Sequence, residues 1–421
     1  MKTQFAVLFG KAIFWLSRLL HFGGGSAAPG LYALNLDPNL VKKLSSSIST
    51  NIVITGTNGK TTTSRLLSHF AKTAGLQVIR NHTGSNMERG IASTLIQGNG
   101  DYDLGIWEMD EGAFNTVSSK LNPDVIVFLN VFRDQLDRYG EIDTVVSNWS
   151  ESLKKVSLKT KVFINGDDAS LDKLQKGFKG KVQKFGVKDY KIVGESLEHK
   201  KEKESLDFEA KNVRLRGLTG SSFKLSIVNC QLSIVLPLPG IYHIYDFLAA
   251  FAVGSTLGFD GKKMIKSLNS FSPAFGRVEK LDFGYIFLIK NPAGATQVFA
   301  TITPELKKDD RILLALNDNL ADGTDVSWIW DAEFERLQVT GNRLQIICSG
   351  TRADDLANRL KYAGFDPKHI AVESDLESAL KKAKQGLKGK LFILPTYTAL
   401  LKLQSILAES GIKNHYWKEE D

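Results

Sequence analysis

The stretch Asn51-Ile-Val-Ile-Thr-Gly-Thr-Asn-Gly-Lys-Thr-Thr-Thr63 constrains this chain more than any other. Ile52 to Ile54 are a short β-branched run that stops at Gly56, the texture of a buried strand. From Thr61 to Ala74 the apolar residues Leu66, Leu67, Phe70, Ala71 and Ala74 recur at helical spacing. A strand that turns through glycines into a helix presents backbone N–H groups at the helix start, and these suit phosphate oxygens. Gly56, Thr57, Asn58, Gly59, Thr61 and Thr62 would then cradle the phosphates of a nucleotide. Lys60 would reach the terminal phosphates, and the Thr61 hydroxyl would ligate Mg²⁺. The strict pattern has a glycine where Ile54 stands, so this is the shorter Gly-x-x-Gly-Lys-Thr form. As a loop residue, Lys60 is expected to matter for ATP turnover and little for stability.

The rest of the chain reads as α/β. Asp103 to Glu111 is a strand ending in carboxylates, Asp124 to Asn130 a run suited to a parallel sheet buried on both faces, and Lys161 to Asp168 a strand with polar residues at its carboxyl end. Ligands bind at such ends. From about 188 to 237 the texture becomes antiparallel: a charged run at 200–204 precedes two alternating segments joined across Asn229-Cys230. Beyond 276 strands are read at 285–290, 311–317, 343–348, 369–372 and 390–394. Helices are read at 325–337, 352–363, 376–384 and 398–409. The expected organisation is an N-terminal helix and linker (1–50), a central ATP-binding domain with a parallel sheet (51–275), and a C-terminal Rossmann-like domain (276–421).

Composition narrows the partners. A net charge of +8 favours acidic ones, and with no aromatic–basic RNA-binding signature nucleic acid is not expected. Two cysteines, Cys230 and Cys348, make neither a disulfide framework nor a four-thiolate zinc site, so a reducing cytoplasm is expected and zinc is not. Both read as structural thiols. Met1 to Phe22 is apolar but interrupted by Lys11 and Arg18, which suits a helix packed on the body and able to graze a membrane surface. At the end of the 103–111 strand, Glu108 is a candidate Mg²⁺ ligand beside Thr61. Asp318, Asp322, Asp325 and Asp331 stand at and after another strand end, where aspartates also serve as helix caps.

The segment GTNGKTT resembles the ATP site of the Mur ligase family, enzymes that couple ATP cleavage to carboxylate–amine bond formation. By that resemblance Glu108 is a magnesium ligand, and Asn165 and Asp168 belong to an Asn-x-Asp-Asp segment near the nucleotide. His243 opens the helix that follows Pro239-Gly240, and Arg277 is a linker arginine approaching the phosphates. Three positions depart from the pattern: Gln135 stands where a magnesium-ligating histidine is usual, and His243 and Asp246 where asparagines are. Lys290 to Gly294 and Asn317 to Asp331 resemble the MurT group within that family. That group implies ATP- and Mg²⁺-dependent amidation of the D-glutamate α-carboxylate of lipid II through an acyl phosphate. It implies a heterodimer with a GatD-like class I glutamine amidotransferase, at the cytoplasmic face of the membrane, with Asp325 or Asp331 in a catalytic role. The short N-terminal region, without the family's UDP-gripping domain, fits a lipid-linked substrate. Another amino-acid ligase of the superfamily, as in folate polyglutamylation, and a non-catalytic nucleotide-binding partner stand beside this reading.

Overall fold

The computed structural model describes residues 1–19, 27–81, 86–132, 142–188, 205–228, 230–272, 277–340 and 344–413. The apolar run after Thr50 forms β1 (Thr50–Thr55), every residue of which but Thr50 is buried. Before it lie α1 (Lys2–Leu19), α2 (Ala28–Leu36) and α3 (Leu40–Ser45). After it come α4 (Lys60–Thr73), β2 (Val78–Arg80), α5 (Glu88–Gln97), β3 (Leu104–Met109), α6 (Phe114–Leu121), β4 (Val125–Phe128) and α7 (Ile142–Leu153). They are followed by β5 (Lys161–Asn165), α8 (Asp172–Gly177), β6 (Val182–Val187), β7 (Phe208–Leu215), β8 (Ser221–Ile227), β9 (Cys230–Leu236), α9 (Ile241–Thr256) and α10 (Gly261–Ser267).

These strands make one sheet in the order β2-β3-β1-β4-β5-β6-β7-β8-β9. It is parallel from β2 to β7 and closes with the antiparallel strands β8 and β9. The antiparallel stretch expected near 188–237 is therefore an extension of the central sheet, and that sheet is mixed; the charged run at 200–204 lies outside the described residues. Strand alternation sorts the core. Ile52 and Ile54 face α4 and α9, while Val53, Trp107 and Phe128 face the N-terminal helices, α6 and α7. Phe70 of α4 meets Phe247 of α9 edge-on at 6.2 Å, and Phe223 of β8 meets the same ring at 5.6 Å. All are buried, which fixes the phosphate-loop helix against the sheet.

The second series runs β10 (Arg277–Leu281), β11 (Gly284–Phe287), α11 (Pro292–Ile302), β12 (Arg311–Ala315), β13 (Gln345–Ser349), α12 (Ala353–Tyr362), β14 (Ile370–Val372), α13 (Leu376–Lys384), β15 (Leu391–Pro395) and α14 (Tyr397–Glu409). Its sheet order is β10-β11-β15-β12-β13-β14, parallel except for the β10–β11 hairpin. The helix expected over 325–337 is instead two short 3₁₀ segments, Ser327–Trp330 and Phe334–Thr340. Buried Arg359 of α12 explains the break. Its Nε and Nη2 donate to the carbonyls of Ile329 (3.0 Å) and Ala332 (2.9 Å), which a continuous helix would have kept for itself. α11 is an element the sequence reading did not name. Asn291 caps it by accepting from Gly294 N (2.8 Å), and Pro292 occupies the first turn.

Candidate active site

The phosphate loop leaves β1 at Thr55 and enters α4 through two glycines whose positive φ side-chain-bearing residues rarely adopt. Gly56 has φ +141°, and a Cβ there would lie 2.9 Å from the Asn130 carbonyl oxygen. Gly59 has φ +90°, and a Cβ there would lie 2.2 Å from Asp246 Oδ1. The end of β4 braces the loop. Asn130 accepts from Asn58 N (2.8 Å) and donates to Asn58 O (3.0 Å), and Phe132 N donates to Thr57 Oγ1 (3.0 Å). The loop is thereby shaped before any ligand arrives.

Parallel pairing puts Glu108 of β3 level with Ile54 of β1, at the carboxyl edge of the sheet. Its carboxylate accepts from Thr61 Oγ1 (2.7 Å) and Ser64 Oγ (2.6 Å), and Arg80 Nη1 stands 3.6 Å away. Asn81 clamps the Glu108 backbone with two bonds of 2.8 Å. This is a compact set of hard oxygen donors at the helix start, the chemistry Mg²⁺ requires. Ser64, Arg80 and Asn81 were not singled out from sequence; Arg80 and Asn81 carry a readable signal, being polar residues at the end of an apolar strand.

Lys60 is a correction. It is buried, not a loop-surface residue: its ammonium pairs with Glu111 at 3.1 Å, both side chains being under 10% exposed. It also donates to the carbonyls of Gly56 and Thr57. Its removal therefore leaves a buried carboxylate without its cation, and the expectation of negligible stability cost does not survive.

A cleft of about 910 Å³, part of it open to solvent, runs from this loop to the second sheet. Asn58, Gly59, Thr62, Asn130 and Asn165 line it on the side of the first sheet. Tyr242, His243, Tyr245 and Asp246 of α9 line it too, and Val278, Phe287, Lys290 and Gln297 close the opposite wall. Polar bonds cross it: Lys290 Nζ donates to Thr57 O (3.1 Å), and the amides of Asn58 and Asn291 exchange bonds of 3.2 and 3.1 Å. His243 Nδ1 lies 2.7 Å from Pro239 O, which sets its ring at the start of α9. Val278 reaches the cleft from a bulge in β10 with φ +63°, a strained conformation for a β-branched residue.

Other expected residues are placed differently. Asp168 does not line the cleft; it accepts from Val131 N (2.9 Å) and Ser170 N (3.0 Å) and pins the end of β4 to the segment after β5. Burial pushes its carboxyl up to about 7. The neighbouring Asp167 accepts from Tyr245 OH (2.7 Å). Arg277 is described for its backbone alone, and Gln135 lies outside the described residues. Asp325 and Asp331 are exposed and are not among the residues that line the cleft. Hydrogen bonds from the Ser327 side chain and from Ser327 N (2.8 Å) hold the Asp325 carboxyl below the usual range. Asp318 is bonded to Thr351 (2.8 Å), and Asp322 accepts from Thr398 N (2.8 Å) and Oγ1 (2.5 Å). Cys348 is buried, as expected, with its thiol pushed up to about 12 by burial. Cys230 is exposed at the start of β9, which corrects the reading of it as a buried structural thiol.

Residues 54–254 match the family model of the Mur ligase middle domain, and residues 288–400 that of the MurT ligase C-terminal domain. The chain is 32% identical to the lipid II isoglutaminyl synthase (glutamine-hydrolyzing) subunit MurT of Streptococcus pneumoniae, over 98% of each chain. It is 30% identical to the corresponding subunit of Staphylococcus aureus, over 92% of this chain and 93% of that one. In fold it is similar to Mycobacterium tuberculosis folylpolyglutamate synthase complexed with ADP and AMPPCP (TM-score 0.68, 15% identity, 96% of this chain and 99% of that one). With the phosphate loop, the Glu108 oxygen cluster and the bridged cleft in one chain, this protein belongs to the MurT family, the Mur ligase-type subunits of lipid II isoglutaminyl synthase.

Proposed function

We propose that the chain uses ATP and Mg²⁺ to amidate the α-carboxylate of D-glutamate in the lipid II stem peptide, with ammonia from a class I glutaminase partner resembling GatD. The observation that carries this reading is the meeting of Thr61, Ser64 and Glu108 beside buried Lys60 at the mouth of the bridged cleft. The base and ribose of ATP occupy the cleft between α9 and β11, and the phosphates lie on the loop. Thr61 and Glu108 hold Mg²⁺, which neutralises charge on the phosphate oxygens when bound. Lys60, drawn from Glu111 by the phosphates, and Lys290 from the opposite wall stabilise negative charge on the transferring group.

A carboxylate oxygen of the substrate attacks the γ-phosphorus, the bond to the β-phosphate oxygen breaks, and ADP leaves. Ammonia then attacks the acyl carbon; phosphate departs, and the nitrogen loses a proton to give the amide. The exposed Asp325 and Asp331, beside half-exposed Trp330, mark the surface for the partner, where one of them orients its catalytic histidine. The reaction takes place at the cytoplasmic membrane face. The test is amide formation from ATP, lipid II and glutamine, with and without a class I glutaminase subunit. Turnover only with the subunit supports the reading. Glutamine-dependent turnover by the isolated chain, lost on changing Cys230 and Cys348 to serine, refutes it.

A further inference from the structure

Helix α1 is built inside out. Its buried face is small: Ala6 and Gly10 are buried, and a Cβ on Gly10 would stand 2.9 Å from the Ile96 side chain of α5 and 3.3 Å from the Pro29 carbonyl of α2. Most of its large side chains face outward, while Val7, Ile13 and Phe14 are half-buried. Phe5, Leu8, Trp15 and Leu19 are 58–66% exposed, with Phe9 and Leu16 between 40 and 50%. At 100° per residue these six fall within one stripe about a third of the circumference wide. A contiguous apolar stripe of this kind marks an interaction surface.

Charge identifies what it meets. Lys2 and Lys11 stand at the two borders of the stripe, both exposed, and the sequence contains no Asp or Glu before Asp37. A helix of 18 residues is ~27 Å long, and among the described residues no helix is long and apolar enough to cross a membrane. Aromatic and leucine side chains on one face with cations at its rim suit a helix lying in the headgroup plane of an anionic bilayer. A protein groove lined with carboxylates would meet the cations but would not need a stripe of exposed Phe, Trp and Leu running the whole helix.

We infer that the outward face of α1 docks this protein on an anionic phospholipid surface, with Phe5, Leu8, Trp15 and Leu19 entering the headgroup–acyl boundary. This deepens the lipid-linked substrate reading, and it rests on that reading only for its purpose: the docking itself is a property of α1. It would hold the protein at the surface where a lipid-anchored peptide is presented and convert a bulk search into a two-dimensional one.

The experiment uses the full chain without nucleotide or lipid II, sedimented with phosphatidylcholine vesicles with and without phosphatidylglycerol. The expected result is binding to the anionic vesicles that weakens as salt rises. Lys2→Gln and Lys11→Gln should each lower the partition coefficient about fivefold, the effect of one cation near such a surface. The triple variant Phe5→Gln, Leu8→Gln, Trp15→Gln should lower it at least tenfold while nucleotide affinity and melting temperature stay unchanged. Absence of binding by the wild type, or binding by the triple variant equal to wild type, overturns the inference. So does a wild-type dimer that the triple variant dissociates without any vesicle effect, which would assign the face to a second copy. If the triple variant misfolds, the contrast between neutral and anionic vesicles and the two lysine variants decide. Loss of vesicle binding with amidation intact removes this inference alone; failure of amidation with vesicle binding intact removes only the ligase reading.

Discussion

The Lys60–Glu111 pair gives the sharpest quantitative expectation. The two charges sit 3.1 Å apart and almost wholly out of water. At an effective dielectric constant of 20 their attraction is about 5 kcal/mol, most of which offsets the desolvation of the two ions. Lys60→Met keeps the aliphatic stem and removes the cation, leaving Glu111 buried and uncompensated. That should cost about 3 kcal/mol of unfolding free energy, the lower end for a broken buried pair. Lys60→Met combined with Glu111→Gln removes both charges and should restore stability to within about 1 kcal/mol of wild type. Turnover behaves differently, because a thioether side chain offers the phosphates no charge and no donor: both the single and the double variant should lose at least a hundredfold in kcat. Urea unfolding without nucleotide and ATP turnover with substrate measure the two quantities separately. A single variant as stable as wild type would refute the buried pair. Recovery of turnover in the double variant would refute the phosphate role of Lys60.

Lys290→Met removes the cation that bridges to Thr57 O and should raise the KM for ATP several-fold with little change in melting temperature, since that buried carbonyl keeps a second donor in Lys60 Nζ. Of the two cysteines, Cys230 should react rapidly with a thiol reagent at pH 8 and Cys348 only on unfolding, because burial holds the latter's thiol at about 12. For Asp168 the folded carboxyl is raised from 3.8 to about 7, so its neutral form stabilises the fold fully below about pH 3.8. That contribution declines above this pH and is gone once the pH passes about 7, a change of up to about 4 kcal/mol. Denaturant unfolding between pH 4.5 and 8 should show this decline in the wild type and a smaller one in Asp168→Asn.

The phosphate loop was legible because β-branched strand, paired glycines and amphipathic helix each specify local backbone without help from elsewhere. The Thr61–Glu108 contact was legible for a related reason: parallel strands deliver their carboxyl ends to one edge. What the sequence hid were effects of tertiary partners. The burial of Lys60 depends on Glu111 arriving from the loop after β3, and a loop lysine carries no mark of that. The broken 325–337 helix depends on Arg359, some thirty residues downstream, taking two of its carbonyls. Helix α11 is the opposite case, since Asn291-Pro292 announces a capped helix start in the sequence itself. The cross-cleft role of Lys290 and Asn291 needed the second sheet to be seated against the first.

Activation of the substrate carboxylate by phosphoryl transfer is the step on which the proposed chemistry depends. The direct measurement is to supply lipid II labelled with ¹⁸O in the D-glutamate α-carboxylate, with ATP, Mg²⁺, glutamine and the glutaminase subunit. The label in released inorganic phosphate is then followed as the amide forms. Attack of the carboxylate on the γ-phosphorus predicts one labelled oxygen in phosphate for each amide made, and neither product in the Lys60→Met variant. Amide formation with unlabelled phosphate, or with no ATP consumed, would contradict it.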